Sequence, residues 1–207
     1  MRMKILLVAA AIVSLASSAS AMSLSIDGSS CLTCDGSDLF LEINDNNDGT
    51  FDVLLIINTD DYIGGKDGIV QAGFGGIQGW TLVDLDSEPA GSAIPWAMPI
   101  GANVNSSGFC KNGGTTDKIC TSGYVDITGG GDHKWEFTVT GGTLKTDTAG
   151  WHIGGQYASL VDLRPENERG PKGNLVSESG PPIPEPNSAL LLGIGALVAS
   201  RGCRRRS

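Results

Sequence analysis

The chain of 207 residues lacks the motifs that most enzymes use. Its only two histidines are His133, expected on a turn, and His152, expected on the polar face of a strand; neither has a zinc-binding spacing such as HExxH. There is no GxSxG nucleophile motif, no GxxxxGK[ST] phosphate loop and no pattern of a nucleophilic cysteine with a partner histidine. We therefore identify no catalytic residue and expect a protein that is not an enzyme.

Basic residues are scarce over most of the chain. Residues 22–183 contain 22 acidic and 8 basic residues, a net charge of −14, whereas the whole chain carries −9 because six basic residues lie near the termini. A body this acidic repels nucleic acid and anionic membranes, so neither is an expected partner. Residues 22–88 hold 13 of the acids and one base, Lys66, which suits solubility at a crowded surface or binding of divalent cations.

Long hydrophobic runs occur only at the two ends. At the start, Arg2 and Lys4 precede an apolar stretch, residues 5–15, and residues 19–21 read Ala-Ser-Ala. A basic head, an apolar middle and a small-residue site are typical of a secretory signal peptide. We expect residues 1–21 to be this peptide, cleavage after Ala21, and a mature protein that begins at Met22 outside the cytoplasm.

The second hydrophobic run, residues 187–200, has no charge. As a helix rising ~1.5 Å per residue it would cover roughly 21 Å of a hydrocarbon core about 30 Å thick, which is short for a permanent anchor. The arginines that follow it resist translocation and keep the end of the chain cytoplasmic. They are Arg201, Arg204, Arg205 and Arg206. We expect a short C-terminal helix that inserts transiently into the inner membrane while the body lies outside.

Pro184, Glu185 and Pro186 stand immediately before this run, and the two prolines favour an extended peptide. A Pro-Glu-Pro motif, an apolar run and an arginine cluster, in this order behind a signal peptide, resemble the PEP-CTERM sorting signal of Gram-negative bacteria. The resemblance covers residues 184–207. The apolar run is somewhat short for the family, and Cys203 interrupts the basic cluster. An ordinary proline-rich linker before a tail anchor is the alternative.

This resemblance implies a destination and a partner. It implies that exosortase, a membrane-embedded transpeptidase-like enzyme, recognises and cuts the C-terminal signal, and that the protein reaches the cell surface or an extracellular matrix. It also implies an association with exopolysaccharide, as in a biofilm. We therefore expect an exported structural protein of the surface or matrix.

Four cysteines remain in the mature body, and an exported setting favours two disulfides. Residues 112–114, Asn-Gly-Gly, form a turn that would bring Cys110 and Cys120 together, and Cys31 then pairs with Cys34, although three pairings are possible. A zinc site would need a second closely spaced pair, and a redox CxxC would need a thioredoxin-like strand and helix. Structural disulfides are the preferred interpretation.

The apolar residues of the body alternate, as they do in strands, and no helical stripe persists for three turns. In Trp135-Glu-Phe-Thr-Val-Thr140, the Trp, Phe and Val share one face. The candidate strands are residues 39–43, 51–57, 69–74, 80–85, 124–128, 135–140 and 151–158. We predict an all-β domain over residues 22–163, an antiparallel β-sandwich or jelly roll whose tryptophans are mostly core. Residues 164–183, rich in Pro and Gly, are predicted to be a linker.

The segment 43–52, INDNNDGTFD, resembles the first half of a calcium loop. Its candidate ligands are Asn44, Asn46, Asp48 and Asp52, with Gly49 at the sharp turn, but Leu55 occupies the position where a bidentate glutamate is required. A hairpin turn is the preferred interpretation. No cofactor is expected, with calcium as the possible exception.

Two further acidic clusters, residues 60–61 and 84–88, are interpreted as solvated loop carboxylates. Two alternatives to a structural role remain open. One is a calcium- or carbohydrate-binding β-sandwich module. The other is an exported glycan hydrolase, which would need two carboxylates about 5 to 10 Å apart across a cleft.

Overall fold

The computed structural model describes residues 20–31, 33–98, 102–105, 108–112, 118–146, 151–160, 174–181 and 183–184. These residues contain strands and turns and no α-helix, so the prediction of an all-β chain is confirmed for them. The strands are β1 Ser20–Ile26, β2 Asp38–Asp45, β3 Thr50–Asn58, β4 Gly68–Gly75, β5 Ile77–Ser87, β6 Ser92–Ala97, β7 Ala102–Asn105, β8 Gly108–Asn112, β9 Lys118–Asp126, β10 Asp132–Leu144, β11 His152–Ala158, β12 Asn174–Ser179 and β13 Ile183–Pro184.

The strands form two antiparallel sheets and a separate hairpin. Sheet A has the order β13-β1-β2-β3-β10-β5, and sheet B has the order β12-β11-β4-β9-β6. The hairpin β7–β8 contacts β9 and β4 of sheet B. The chain passes from one sheet to the other several times, for example from β3 of sheet A to β4 of sheet B, so neither sheet is a contiguous part of the sequence.

Alternating side chains of the two sheets meet in one hydrophobic core. In β10, the side chains of Trp135, Phe137 and Val139 are buried while their neighbours point outward, as the period of two predicts. Aromatic rings connect the sheets, because Phe137 lies 5.2 Å from Phe74 of β4 between ring centroids, and Trp135 lies 4.9 Å from Trp96 of β6. The two sheets therefore pack face to face, with the tryptophans Trp96, Trp135 and Trp151 buried.

Several strands were not predicted, and they lie mainly at sheet edges. Residues 174–179, inside the segment assigned as a linker, form β12 and pair with β11. The segment Asn-Leu-Val-Ser-Glu-Ser has little apolar alternation, so local sequence gives only a weak strand signal. The assigned boundary at residue 163 consequently leaves out a strand of sheet B.

One predicted strand was displaced along the chain. Residues 124–128 were expected to be a strand, whereas β9 ends at Asp126. The Asp126 carboxylate accepts hydrogen bonds from the backbone N–H and the hydroxyl of Thr128, at 2.8 and 2.7 Å. This local bonding favours a turn and ends the strand.

Candidate functional site

The outward face of sheet A carries a row of polar side chains contributed by four strands. In the strand register, Asn44 of β2 is opposite Asp52 of β3, Asp52 is opposite Thr138 of β10, and Thr138 is opposite Asp84 of β5. The next row contains Glu42, Leu54 and Glu136. Side chains in adjacent register positions lie about 5 Å apart. Carboxylates that are far apart in the sequence are thus neighbours on this face.

A β-bulge adds one more carboxylate to this surface. Between Leu85 and Ser87, β5 has one residue more than its partner β10, and that residue is Asp86. Bulges commonly re-aim a side chain. The Thr138 hydroxyl donates a hydrogen bond to Asp86 Oδ2 at 2.8 Å, which holds this carboxylate over the row. Asp84 and Asp86 therefore lie on a strand and not in a loop, which corrects the interpretation of these two residues, whereas Glu88 follows the end of β5.

A groove of about 260 Å³ runs over this surface and is lined by both polar and apolar side chains. Carboxylates accept hydrogen bonds and the Asn44 amide can both donate and accept, while Leu54 adds an apolar patch. Asn44 Nδ2 donates to Glu42 Oε1 at 2.8 Å. The groove lining includes Asn44, Asp52, Leu54, Asp86 and Glu136. We call the groove lined by these residues the acidic groove; it suits a ligand with many hydroxyl or amino donors.

The predicted calcium residues are divided between the strands and the turn of the hairpin formed by β2 and β3. Asn44 and Asp52 are on the strands, whereas Asn46 and Asp48 are in the turn and both bond to Thr50. Asp48 Oδ1 accepts both the N–H and the hydroxyl of Thr50, and these hydrogen bonds lower the pKa of the Asp48 carboxyl. Within the described part of the chain, no group of three or more His, Cys, Asp or Glu could hold a metal ion.

The cysteines that were expected to pair are only partly described. Cys31 and Cys34 form a disulfide, with their Cα atoms 5.4 Å apart, and this is the pairing proposed from the sequence. Cys120 of β9 is also disulfide-bonded. The backbone of Cys110 lies in β8, and its side chain is outside the described part of the structure. The pairing of Cys110 with Cys120 therefore stays a prediction.

The end of the sheets where β3 ends and β10 begins holds a buried histidine. His133 was expected on a turn, but it lies on β10 and faces inward, and its Nε2 shares a 3.0 Å hydrogen bond with Thr59 Oγ1. Burial lowers the pKa of His133, and the negative charges of Asp132, Asp126 and Asp60 oppose this effect. An inward-facing imidazole fits a neutral, structural role.

A polar cavity of about 440 Å³ lies beside this histidine, between the loops that follow β3 and β9. Asp60, Lys66 and Thr128 contribute to its lining, and so does Tyr62. The Tyr62 ring stacks on Tyr157 with ring centroids 4.4 Å apart. One face of this ring is therefore used to hold the loop against the core rather than to contact a ligand.

The predicted sorting motif begins at the edge of sheet A. Pro184 ends β13, and its register partner in β1 is Met22, the expected first residue of the mature protein. Glu185 and Pro186 lie outside the described residues, as do the apolar run and Arg201, Arg204, Arg205 and Arg206. No helix in the described ranges has the length and hydropathy needed to cross a bilayer.

The structure so far defines a class: an all-β protein with two packed antiparallel sheets, a disulfide and an acidic outer face. Comparison with protein-family models, with curated proteins and with solved structures finds no match to this chain.

Sequence reasoning missed the acidic groove, although part of its signal was visible. The alternation in β10 already placed Glu136 and Thr138 on the polar face. What could not be read was the strand order, which brings β5 beside β10 and so places Asp86 next to Thr138. The bulge at Asp86 has no signature in the local sequence.

Proposed function

We propose that this protein is an exported component of the cell surface or extracellular matrix, sorted and processed through its C-terminal signal. The proposal depends on the order of three C-terminal features in a chain that begins with a predicted signal peptide. The motif Pro184-Glu185-Pro186 comes first, an apolar run follows it, and an arginine cluster comes last. The exosortase-type enzyme is the proposed processing partner. The protein would be held transiently in the inner membrane by residues 187–200 before release.

Three features of the body support this destination. We propose that the two packed sheets form a β-sandwich, an architecture common in cell-surface domains. The Cys31–Cys34 disulfide suits an oxidising compartment. The net charge of −14 over residues 22–183 suits a hydrated surface exposed to other macromolecules. The role proposed here is structural, through association with extracellular polysaccharide, and not enzymatic.

Removing residues 184–207 is expected to abolish C-terminal processing and surface retention, leaving the body unprocessed in the periplasm or free in the medium. The reason is that recognition by the processing enzyme and the pause in the membrane both depend on this segment. The measurement is cell fractionation with intact mass determination of each fraction.

Proline pairs provide a matched control for this deletion. Replacing Pro184 and Pro186 with alanine should also prevent processing, whereas replacing the adjacent Pro181 and Pro182 should leave it unchanged. Equal processing and display of the full chain and the truncated chain would contradict the sorting hypothesis.

The acidic groove supports a second candidate function, binding of a polysaccharide. The carboxylates of Asp52, Asp86 and Glu136 would accept hydrogen bonds from sugar hydroxyl groups, and Leu54 would contact an apolar face of the ring. A polymer rich in uronic acids would be repelled by the same carboxylates. The proposed ligand is therefore a neutral or amino-sugar polymer.

Changing Asp86 to Asn together with Glu136 to Gln is expected to weaken binding to such a polymer about tenfold or more, since a hydrogen bond to a charged group contributes about 1.5–3 kcal/mol. Affinity electrophoresis of the variant and of the unaltered protein against neutral, amino-sugar and uronic-acid polymers would measure this loss of binding. Asp84→Asn is the control, because Asp84 is exposed on the same strand and does not line the groove. Equal weakening by the control, or equal binding of all three polymers, would contradict this function.

A further inference from the structure

The Cys31–Cys34 disulfide ties down a short segment in front of β2. Cys34 is fully buried, whereas Cys31 is partly exposed. The Cys31 N–H donates to the Asp27 carbonyl oxygen at 3.2 Å, and the Ser37 N–H donates to the Cys34 carbonyl oxygen at 2.8 Å. We call the residues from Cys34 to Ser37, which the bridge ties to Cys31, the disulfide loop. The bridge fixes this loop at one end, and β2 fixes it at the other.

The disulfide loop contacts the loop after β3, residues 59–67, along the backbone. The Ile63 N–H donates to the Asp35 carbonyl oxygen at 2.8 Å, and Gly36 lies so close to the Asp61 carbonyl oxygen that a Cβ would collide with it. The Ile63 side chain is 83% exposed, so its burial contributes little to holding this residue in place. The position of Ile63 therefore depends on the disulfide loop.

A pair of stacked tyrosines connects the same two loops through side chains. The Tyr157 hydroxyl donates to Ser37 Oγ at 2.8 Å, and both residues are fully buried. The Tyr62 ring stacks on the Tyr157 ring, with centroids 4.4 Å apart and planes inclined by 14°. Because Ser37 is also bonded to the backbone of Cys34, a shift of the disulfide loop reaches Tyr62 through Tyr157.

Tyr62 and Ile63 are part of the wall of the polar cavity. The turn after β9, residues 127–130, forms another part of the wall. That turn is held by bonds of its own, such as the one from the Gly130 N–H to the Ile127 carbonyl oxygen at 2.9 Å. The disulfide loop therefore supports one side of the cavity, while local hydrogen bonds support the other.

We propose that the Cys31–Cys34 disulfide is a redox-controlled clamp on the polar cavity. In the oxidised protein the clamp holds Tyr62 and Ile63 in the cavity wall, and reduction of the bridge by a dithiol releases them and opens the cavity. Without the cross-link the disulfide loop samples more conformations, so its contacts with the loop after β3 break more often. Such local opening precedes unfolding of the core.

The reduction proceeds by thiol–disulfide exchange. A thiolate of the dithiol attacks the Cys31 sulfur, because Cys31 is the more exposed member of the pair, and the S–S bond breaks with Cys34 as the leaving thiolate, which takes up a proton. The second thiolate of the reductant then displaces Cys31 from the mixed disulfide, and Cys31 is protonated in turn. The protein gains two electrons and two protons, and the dithiol becomes a cyclic disulfide. The reverse exchange restores the clamp.

Amide hydrogen exchange of the oxidised and the dithiol-reduced protein tests the clamp. On reduction the Ile63 N–H should exchange about tenfold faster or more, because its bond to Asp35 depends on the disulfide loop. The Thr59 N–H is the control, since it lies in the same loop but donates to the Gly131 carbonyl oxygen at 3.0 Å. Its exchange rate should stay unchanged, as should that of Val139 in β10.

The variant Cys31→Ala/Cys34→Ala separates this bridge from the disulfide of Cys120, which a dithiol also reduces. Without reductant the variant should already show the fast exchange of Ile63, and the dithiol should increase it no further. If the dithiol accelerates Ile63 exchange in the variant as much as in the unaltered protein, the release belongs to the Cys120 disulfide and the proposal is wrong.

Opening of the cavity is measured by acetylation of tyrosine hydroxyls with N-acetylimidazole, located by peptide mass mapping. Tyr62 Oη is buried, so it should react slowly in the oxidised protein and about tenfold faster or more in the alanine variant. Tyr124 of β9 is the control, because its hydroxyl bonds to Asp67 Oδ1 at 3.2 Å and not to the disulfide loop. It should react at the same rate in both proteins.

Three results would overturn the clamp. If Ile63, Thr59 and Val139 all exchange faster to the same extent after reduction, the bridge stabilises the whole fold rather than one loop. If Ile63 exchange does not change, other contacts hold the cavity wall. If Ile63 exchange rises while Tyr62 acetylation does not, the loop is released but the cavity stays closed. Where the alanine variant does not fold, the exchange rates of the unaltered protein still distinguish the first two results.

Discussion

Replacing Trp135 with alanine is expected to lower the free energy of unfolding by about 3–5 kcal/mol. Trp135 is fully buried on β10, and its indole packs edge-on against Trp96 of β6. The substitution would remove an aromatic contact between the two sheets and leave a cavity that the surrounding strands can fill only in part. Its Nε1 has no hydrogen-bond partner within the described structure, so the expected loss comes from packing.

Equilibrium urea denaturation of the oxidised protein would measure this effect. Trp135→Phe should cost less, because much of the ring volume is kept. Leu82→Ala on β5 is the control, since this side chain is 53% exposed and its loss should change stability by about 0.5 kcal/mol or less. A loss for Trp135→Ala no larger than that of Leu82→Ala would mean that the two sheets do not share this core.

Replacing Gly36 with alanine is expected to destabilise the protein by about 2–4 kcal/mol, through backbone strain and a steric clash together. Gly36 has a φ of 86°, which side-chain-bearing residues rarely adopt, and a Cβ there would collide with the backbone oxygen of Asp61. The same loops are joined by the hydrogen bond from the Ile63 N–H to the Asp35 carbonyl oxygen, 2.8 Å long. The clash would push apart the disulfide loop and the loop after β3.

Gly49 provides a control that separates the two causes. It has a nearly identical φ of 88°, but nothing lies within 4 Å of the position that its Cβ would occupy. Gly49→Ala should therefore cost only the strain, about 1–2 kcal/mol. Thermal or urea unfolding of both variants should show the larger loss for Gly36→Ala, and equal losses would contradict the close contact between these loops.

The parts of the fold that sequence predicted well are those with one buried and one polar face. In β2, β3 and β10 buried positions alternate with more exposed ones, because one side meets the core and the other meets solvent, and in β10 the apolar residues follow the same alternation. β4 is buried on both faces, yet its mostly apolar residues 69–74 still indicated a strand. Edge strands such as β12 and β13 were missed, since their identity depends on pairing with a distant partner.

The candidate sites were also hard to predict from sequence, because most of them depend on pairing between distant strands. The side chains of Asn46 and Asp48 have a calcium-like spacing, but their oxygens and amides bond to Thr50 and close a hairpin turn, which local sequence cannot distinguish from a half-formed metal loop. The acidic groove depends on a register that joins Asp52, Glu136 and Asp86 from three strands. The adjacency of Met22 and Pro184 likewise depends on a ladder between the two ends of the body.

The central claim is that this chain is exported and processed at both ends, and the intact mass of the protein recovered from the exporting cell tests it most directly. The account predicts a polypeptide that begins at Met22 and ends within residues 184–207, before the arginine cluster. The same measurement after reduction would count the disulfides. A recovered protein that still carries Ser207 at its end, with or without its first 21 residues, would contradict the account.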